Sequence, residues 1–361
     1  MSNLNFTKNI TIFIFFNTFP QQQRLESVGK GVNQKLKAMW KRKNSVMSMW
    51  ATGLLLLSVL AFTGCNNDDG DEDLGEGTME IQMTDAPADN DNIDAVFVTV
   101  TSVKVDGQVV DGFEGPKTIN VMALQNGKTE MLATDKFTAK SYENITLEID
   151  SEMDEDGNAP GSYVEMADGT KNKLMSSDGE KAEYTFKGRS RVMADAKSTV
   201  VLDFDLRKFI RESDSGSASD FSFVNKSDID GYLRFSDEDN AGSVKGNYDG
   251  QVAADEKVIV YAYEKGSFNE SQETDENAAL QFKKAVASTE IHGALTKSFS
   301  FYFLEEGEYE LHFVSYEENE AGEMELNGII DAESETNANL LNNVKIQAGV
   351  QLTLNVIASG I

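Results

Sequence analysis

The chain has 361 residues, 40% of them hydrophobic, with 32 basic and 61 acidic side chains and a formal net charge of −29 at neutral pH. Such an acidic excess repels nucleic acid and anionic lipid headgroups, so this composition predicts neither as a partner. One cysteine, Cys65, excludes a disulfide framework, and whatever folds here must be held by its own apolar cores.

Residues 1–38 carry a short apolar run at 10–16 and then polar Gln21-Gln22-Gln23-Arg24, which would place an export signal unusually far from the start. Met39 makes a better start: Trp40 and cationic Lys41-Arg42-Lys43 lead into Leu54-Leu55-Leu56-Leu57-Ser58-Val59-Leu60-Ala61-Phe62, and small Thr63 and Gly64 then precede Cys65. A positive segment, an apolar run and small residues form a secretory signal. An apolar run of about a dozen residues falls short of the roughly 20 that a membrane-spanning helix needs, so export is predicted rather than a permanent transmembrane anchor. Phe62-Thr63-Gly64-Cys65 resembles the lipobox of bacterial lipoproteins. That resemblance implies a diacylglyceryl group on Cys65, cleavage on its amino side and further acylation, and two or more acyl chains anchor stably where one holds marginally. On this reading residues 1–38 are upstream sequence from a misassigned start, the alternative being a long leading segment, and residues 39–64 are the signal peptide.

Residues 65–361 hold 24 basic and 60 acidic side chains, a net charge of −36, and their number predicts two domains of ordinary size. They open with an acidic tether, 65–77, in which Asn66-Asn67-Asp68-Asp69-Gly70-Asp71-Glu72-Asp73 repels itself and buries nothing. This segment resembles the short acidic signals that follow the lipidated cysteine in surface-exposed lipoproteins of Bacteroidetes; the other reading is a solvated spacer without address information. The predicted location is therefore the cell envelope, anchored to the outer membrane on its periplasmic or outer face.

From Thr78 the chain alternates in short runs. Strands are predicted at 79–83, 96–100, 119–124, 145–149, 182–186 and 200–204, with a bulge near Thr101-Ser102, where the valines change phase. Pro87 stops the first strand, and Asn126-Gly127, Asp156-Gly157, Asp168-Gly169 and Asp178-Gly179 are turn signals. No helical period persists, so the fold class is all-β, two antiparallel β-sandwich domains. The first is read as 78–212, a polar linker as 213–228 with Phe221 and Phe223 packing in part, and the second as 229–361 with strands at 232–235, 258–263, 299–304, 309–314 and 350–357. Residues 278–288 suit either a helix or a strand with a polar loop.

Thr84-Asp85-Ala86-Pro87-Ala88-Asp89, Thr101-Ser102-Val103-Lys104-Val105, Leu124-Gln125-Asn126-Gly127 and Leu202-Asp203-Phe204-Asp205 resemble the family called domain of unknown function 4382 over about residues 77–210. The resemblance implies a secreted or lipid-anchored bacterial protein and no activity. Gly242-Ser243-Val244-Lys245-Gly246, the 258–263 run and Phe301-Tyr302-Phe303-Leu304 with the following acidic turn resemble the small prealbumin-like sandwiches that accompany carboxypeptidases.

Candidate chemistry is sparse. Glu152-Met153-Asp154-Glu155-Asp156-Gly157 has the carboxylate spacing that opens a calcium loop, with Glu152, Asp154 and Asp156 as the ligands. Glu152 replaces the usual first Asp and Tyr163 stands where a bidentate Glu belongs, which favours a plain acidic hairpin tip; no other cofactor is predicted. His312 shares the polar face of its strand with Glu308 and Glu310, which predicts a solvated side chain rather than a metal ligand. No Gly-x-Ser-x-Gly elbow is present, and both tryptophans, Trp40 and Trp50, precede Cys65. The sequence thus predicts a lipid-anchored binding or structural module with a protein or glycan partner. The alternative is a carboxylate-dependent enzyme acting on glycans.

Overall fold

The computed structural model describes residues 74–86, 93–212, 221–226, 229, 232–275, 278, 280–293, 296–319, 324–337 and 339–360. Cys65 and the whole signal and tether reading to position 73 lie outside the described residues. Most of the described residues are in strands, and the few helices are single turns.

A first sheet of thirteen strands runs from Ile210–Glu212 at one edge through Phe221–Phe223, Lys171–Met175, Tyr163–Met166, Ile93–Val105, Ser141–Asp150, Lys181–Arg191, Leu233–Asp237, Lys197–Asp205 and Glu76–Ala86 to Glu130–Thr138; Gln108–Val109 and Lys117–Asn120 pair alongside Ile93–Val105. It closes on one core in which Met79, Ile81 and Met83 meet Val98, Val100, Leu147, Phe186 and Leu202. The second sheet, of eight strands, is ordered Ala287–Glu290, Glu256–Glu264, Gly307–Glu318, Met324–Ser334, Gln351–Gly360, Ala241–Asp249 and Lys297–Glu305, with Val344–Ile346 paired to Gly307–Glu318. Pairing is mainly antiparallel, so the all-β sandwich class stands. Parallel pairs occur where Glu76–Ala86 meets Lys197–Asp205 and where Ala241–Asp249 meets Gln351–Gly360.

Several sequence features have direct counterparts. The register of Ile93–Val105 against Ser141–Asp150 shifts between Val100 and Ser102, at the expected bulge. The unbroken apolar run at 258–263 is buried on both faces, as a strand with no polar phase must be. Val258, Val260 and Ala262 enter one core, whereas Ile259, Tyr261 and Tyr263 enter another with Phe282 and Ala285.

Four expectations change. The strand expected at 119–124 ends at Asn120, and Val121–Leu124 forms a 3-10 turn that buries Val121 and Leu124. Phe221–Phe223, placed in the linker, is a strand of the first sheet because both rings reach its core. Leu233–Asp237, expected to open the second domain, pairs antiparallel with Lys197–Asp205 and parallel with Lys181–Arg191, completing the first sheet. His312 is not solvated: its ring stacks on Phe268 at 3.7 Å and sits edge-on to Tyr263, and its side chain is 17% exposed. Burial pushes its pKa down, against the pull of Glu310 and Glu270.

Candidate functional site

The parallel pairing of Glu76–Ala86 with Lys197–Asp205 sets Thr84 opposite Asp203 and Ala86 opposite Asp205. Two sequence signatures more than a hundred residues apart therefore finish side by side at one end of the sheet. The third joins them: the Thr84 hydroxyl is directed at the carbonyls of Leu124 and Lys128, at 3.2 and 2.9 Å, tying down the loop that holds Asn126 and Gly127. Gly127 has φ +75°, and a Cβ there would lie 2.6 Å from the Tyr302 ring of the second sheet, so this turn requires glycine twice over.

Side chains alternate across a strand, and in Leu202-Asp203-Phe204-Asp205 the apolar phase fills the core while both carboxylates leave from the other face. Asp203 Oδ2 accepts from Arg234 Nη2 at 2.5 Å. Arg234 Nη1 donates to Ser236 Oγ at 2.8 Å and to the carbonyl of Phe303 at 3.1 Å, and Ser236 Oγ donates to that same carbonyl at 2.8 Å. Asp205 Oδ2 lies 3.3 Å from Arg207 Nη2 and 3.2 Å from Lys208 Nζ, all three side chains being at least nine-tenths buried. The helical turn Leu206–Phe209 presents both cations, and Phe209 anchors it in the core against Tyr184, Phe204 and Phe223.

Both cations then reach into the second half of the chain. Arg207 Nη1 donates to the carbonyls of Gln281 and Phe282, at 3.0 and 3.3 Å, its guanidinium lies 5.1 Å from the centre of the Tyr261 ring, and Lys208 Nζ donates to the carbonyl of Ala285. The receiving loop is itself fixed. Phe282 stacks on Tyr261 at 4.4 Å, its N–H donates to the carbonyl of Glu273, and the Glu273 carboxylate accepts from Tyr263 at 2.9 Å and from the Lys284 N–H at 3.0 Å. Phe282 and Phe303, two of the four residues whose carbonyls are taken, both have positive φ, +50° and +55°. Unpartnered buried charges would oppose folding, so this junction holds only because each ion meets a counter-ion and carbonyls.

The two carboxylates differ. Burial pushes the Asp203 carboxyl above its usual range despite Arg234. Burial acts the same way on Asp205, but Arg207, Lys208 and Arg234 together outweigh it and hold that carboxyl below its usual range. Beside them opens a cleft of about 620 Å³ whose lining includes Arg234, Tyr232, Lys187, Lys283 and Lys284.

The residues singled out for calcium are elsewhere, at the tip between Ser141–Asp150 and Tyr163–Met166. Asp154 Oδ1 accepts from the N–H groups of Asp156 and Asn158, at 3.0 and 2.7 Å, which lowers its pKa; Glu152 pairs with Lys173, and Asp156 is exposed. The structure does not gather them, and among the described residues no three His, Cys, Asp or Glu side chains form a group suited to a metal ion. Sequence reading missed the junction as a site. Its signal was the pair of aspartates on one face of an otherwise apolar strand, followed at once by Arg207-Lys208.

Among solved structures, the chain is similar to a leucine-rich repeat protein from Bacteroides thetaiotaomicron (8% identity over 78% of this chain and 26% of that one, TM-score 0.18). It is also similar to the TIE protein of Bacillus anthracis (10%, 78% and 34%, 0.15) and to BcpA, the major pilin subunit of Bacillus cereus (8%, 79% and 71%, 0.18). The chain thus spans about a quarter and a third of the first two. No curated protein sequence matches it. Residues 76–220, the span over which the three signatures converge on the junction, match the model of the family described as Domain of unknown function (DUF4382).

Proposed function

We propose that the chain is a lipid-anchored cell-envelope protein of the outer membrane that works as a binding or structural module rather than as a catalyst. The observation that carries this reading is the junction. Three cations of the first sandwich, Arg207, Lys208 and Arg234, end on backbone carbonyls of the second, which makes the two sandwiches one mechanical body. The buried carboxylates are committed to that work: a glycosidase acid has to reach a glycosidic oxygen, whereas Asp203 and Asp205 are ion-paired to Arg234, Arg207 and Lys208. Among the described residues no helix is long and apolar enough to cross a membrane. Attachment is assigned to acyl chains on Cys65, export to 39–64 and distance from the bilayer to the acidic stretch that follows Cys65, which is shorter than the expected 65–77 because the first strand already begins at Glu76. A net charge of −36 after position 64 argues against nucleic acid as a partner and leaves proteins or glycans.

Cys65→Ser tests the anchor. The variant should take up no clickable fatty acid and should move from the membrane fraction to the soluble fraction or the medium. Retention in the membrane fraction without labelling would refute the lipid anchor.

A further inference from the structure

Strands Glu256–Glu264 and Ala287–Glu290 are joined by a strap whose Phe268 and Phe282 pack over one face of the second sheet, on a small core that includes Tyr261, Tyr263 and Val314. His312 lies under that strap. Its ring stacks on Phe268 at 3.7 Å and stands edge-on to Tyr263, and its Nε2 is buried without a hydrogen-bond partner among the described residues. Glu310 Oε2 lies 4.0 Å away, beyond hydrogen-bond reach. The other oxygen of that carboxylate is engaged: it accepts from the N–H groups of Gly266 and Phe268, at 3.1 and 2.9 Å, and so ties down the start of the strap. A relay of contacts then leads from the ring to the junction. Tyr263 donates to the Glu273 carboxylate, which also holds the Lys284 N–H; the Glu273 carbonyl holds the Phe282 N–H; and the carbonyls of Phe282 and Ala285 receive Arg207 and Lys208.

We propose that His312 is the latch of a pH-operated strap: protonation of its imidazole releases the segment between Glu264 and Ala287 from the sheet and thereby loosens the junction between the sandwiches. A buried imidazolium needs water or a carboxylate. Water reaches it only if Phe268 lifts away, and drawing Glu310 closer takes the acceptor from Gly266 and Phe268, so either response frees the start of the strap. The groups around the ring are Glu310 on its own strand, Glu270 and Glu273 on the strap, and Tyr261 and Tyr263 on the adjacent strand. On the other neighbouring strand Asp331, next to the Ile330 that pairs with Phe313, is exposed and accepts from Ser359. Burial outweighs the pull of Glu310 and Glu270 and holds the imidazole pKa low. The neutral ring therefore stabilises the strap above the unfolded value of about 6.5, and that contribution is lost as pH falls through the depressed one.

The test is hydrogen exchange of the purified full chain at about pH 7.5 and about pH 5.5, with each rate referred to the intrinsic rate at that pH. Protection of the Gly266, Phe268, Phe282 and Lys284 amides should fall about three- to tenfold on acidification, while amides deep in the first sheet, such as those of Leu147 and Ile149, should hold theirs. The chain has two histidines, so the window can be assigned: H312F, which keeps a ring on Phe268 and cannot titrate, and H312Q should each abolish the fall, and H292Q should leave it intact. Asp203, whose carboxyl is held high, acts with the opposite sign and cannot imitate the effect. No fall, greater protection in acid, an equal fall throughout the first sheet, or a fall that persists in whichever of H312F and H312Q folds overturns the latch.

Discussion

Asp205→Asn should cost the chain about 3–5 kcal/mol at neutral pH, because it strips the shared counter-ion from Arg207 and Lys208, which are 3% and 4% exposed in their side chains. Asp203→Asn should cost far less, about 1 kcal/mol or below, since burial already disfavours its charge and relief of that penalty offsets the weakened pairing with Arg234. Equilibrium denaturation of the two variants side by side checks the contrast. The pH dependence carries the same information. A carboxyl held below its ordinary value stabilises the fold above its unfolded pKa of about 3.9 and loses that contribution as pH falls through the depressed value. Asp203, held above its ordinary value, works in the opposite sense, contributing below about pH 3.9 and losing the contribution as pH rises through its raised value. The stability gap between wild type and Asp205→Asn should therefore be widest near neutrality and shrink below about pH 4. Equal penalties for the two variants would contradict the division of labour.

Phe209→Ala should be comparably severe, at about 3–5 kcal/mol, the usual cost of truncating a buried aromatic ring in a packed core. Phe209 has no exposed surface, and its ring centre lies 4.8, 4.9 and 5.0 Å from those of Tyr184, Phe204 and Phe223. The same residue ends the helical turn that aims Arg207 and Lys208, so the loss should spread beyond the cavity. Hydrogen exchange is the measurement: the amides of the receiving loop, Phe282 and Ala285 among them, should exchange faster in Phe209→Ala even though no atom of that loop is changed. A loss of stability with unaltered exchange in the loop would make Phe209 a core residue and nothing more.

Much of the fold was legible because strand patterning is local. Alternation gave most strands, the phase change of the valines gave the bulge after Val100, and the absence of polar phase at 258–263 marked a strand covered on both sides. The 278–288 stretch stayed ambiguous because, among its described residues, only Ala287 and Ser288 belong to a regular element, a strand. Their role, to lay Phe282 on Tyr261 and offer carbonyls to Arg207 and Lys208, arises only from tertiary contact. His312 was misjudged for the same reason: its face of the strand is polar in sequence but is roofed by Phe268. Leu233–Asp237 was assigned across the wrong boundary because alternation says nothing about which sheet a strand joins. The candidate site was legible only in fragments. Thr84-Asp85, Asn126-Gly127 and Leu202–Asp205 were visible separately, and the parallel register that unites them is long-range.

The central claim is that the buried charges make the first sandwich and the second a single cooperative body. Differential scanning calorimetry of the full chain tests it most directly. The account predicts one transition, with calorimetric and van't Hoff enthalpies equal, and its separation into two in Asp205→Asn. Two independent transitions in the wild-type chain, with midpoints that do not move in Asp205→Asn, would contradict it.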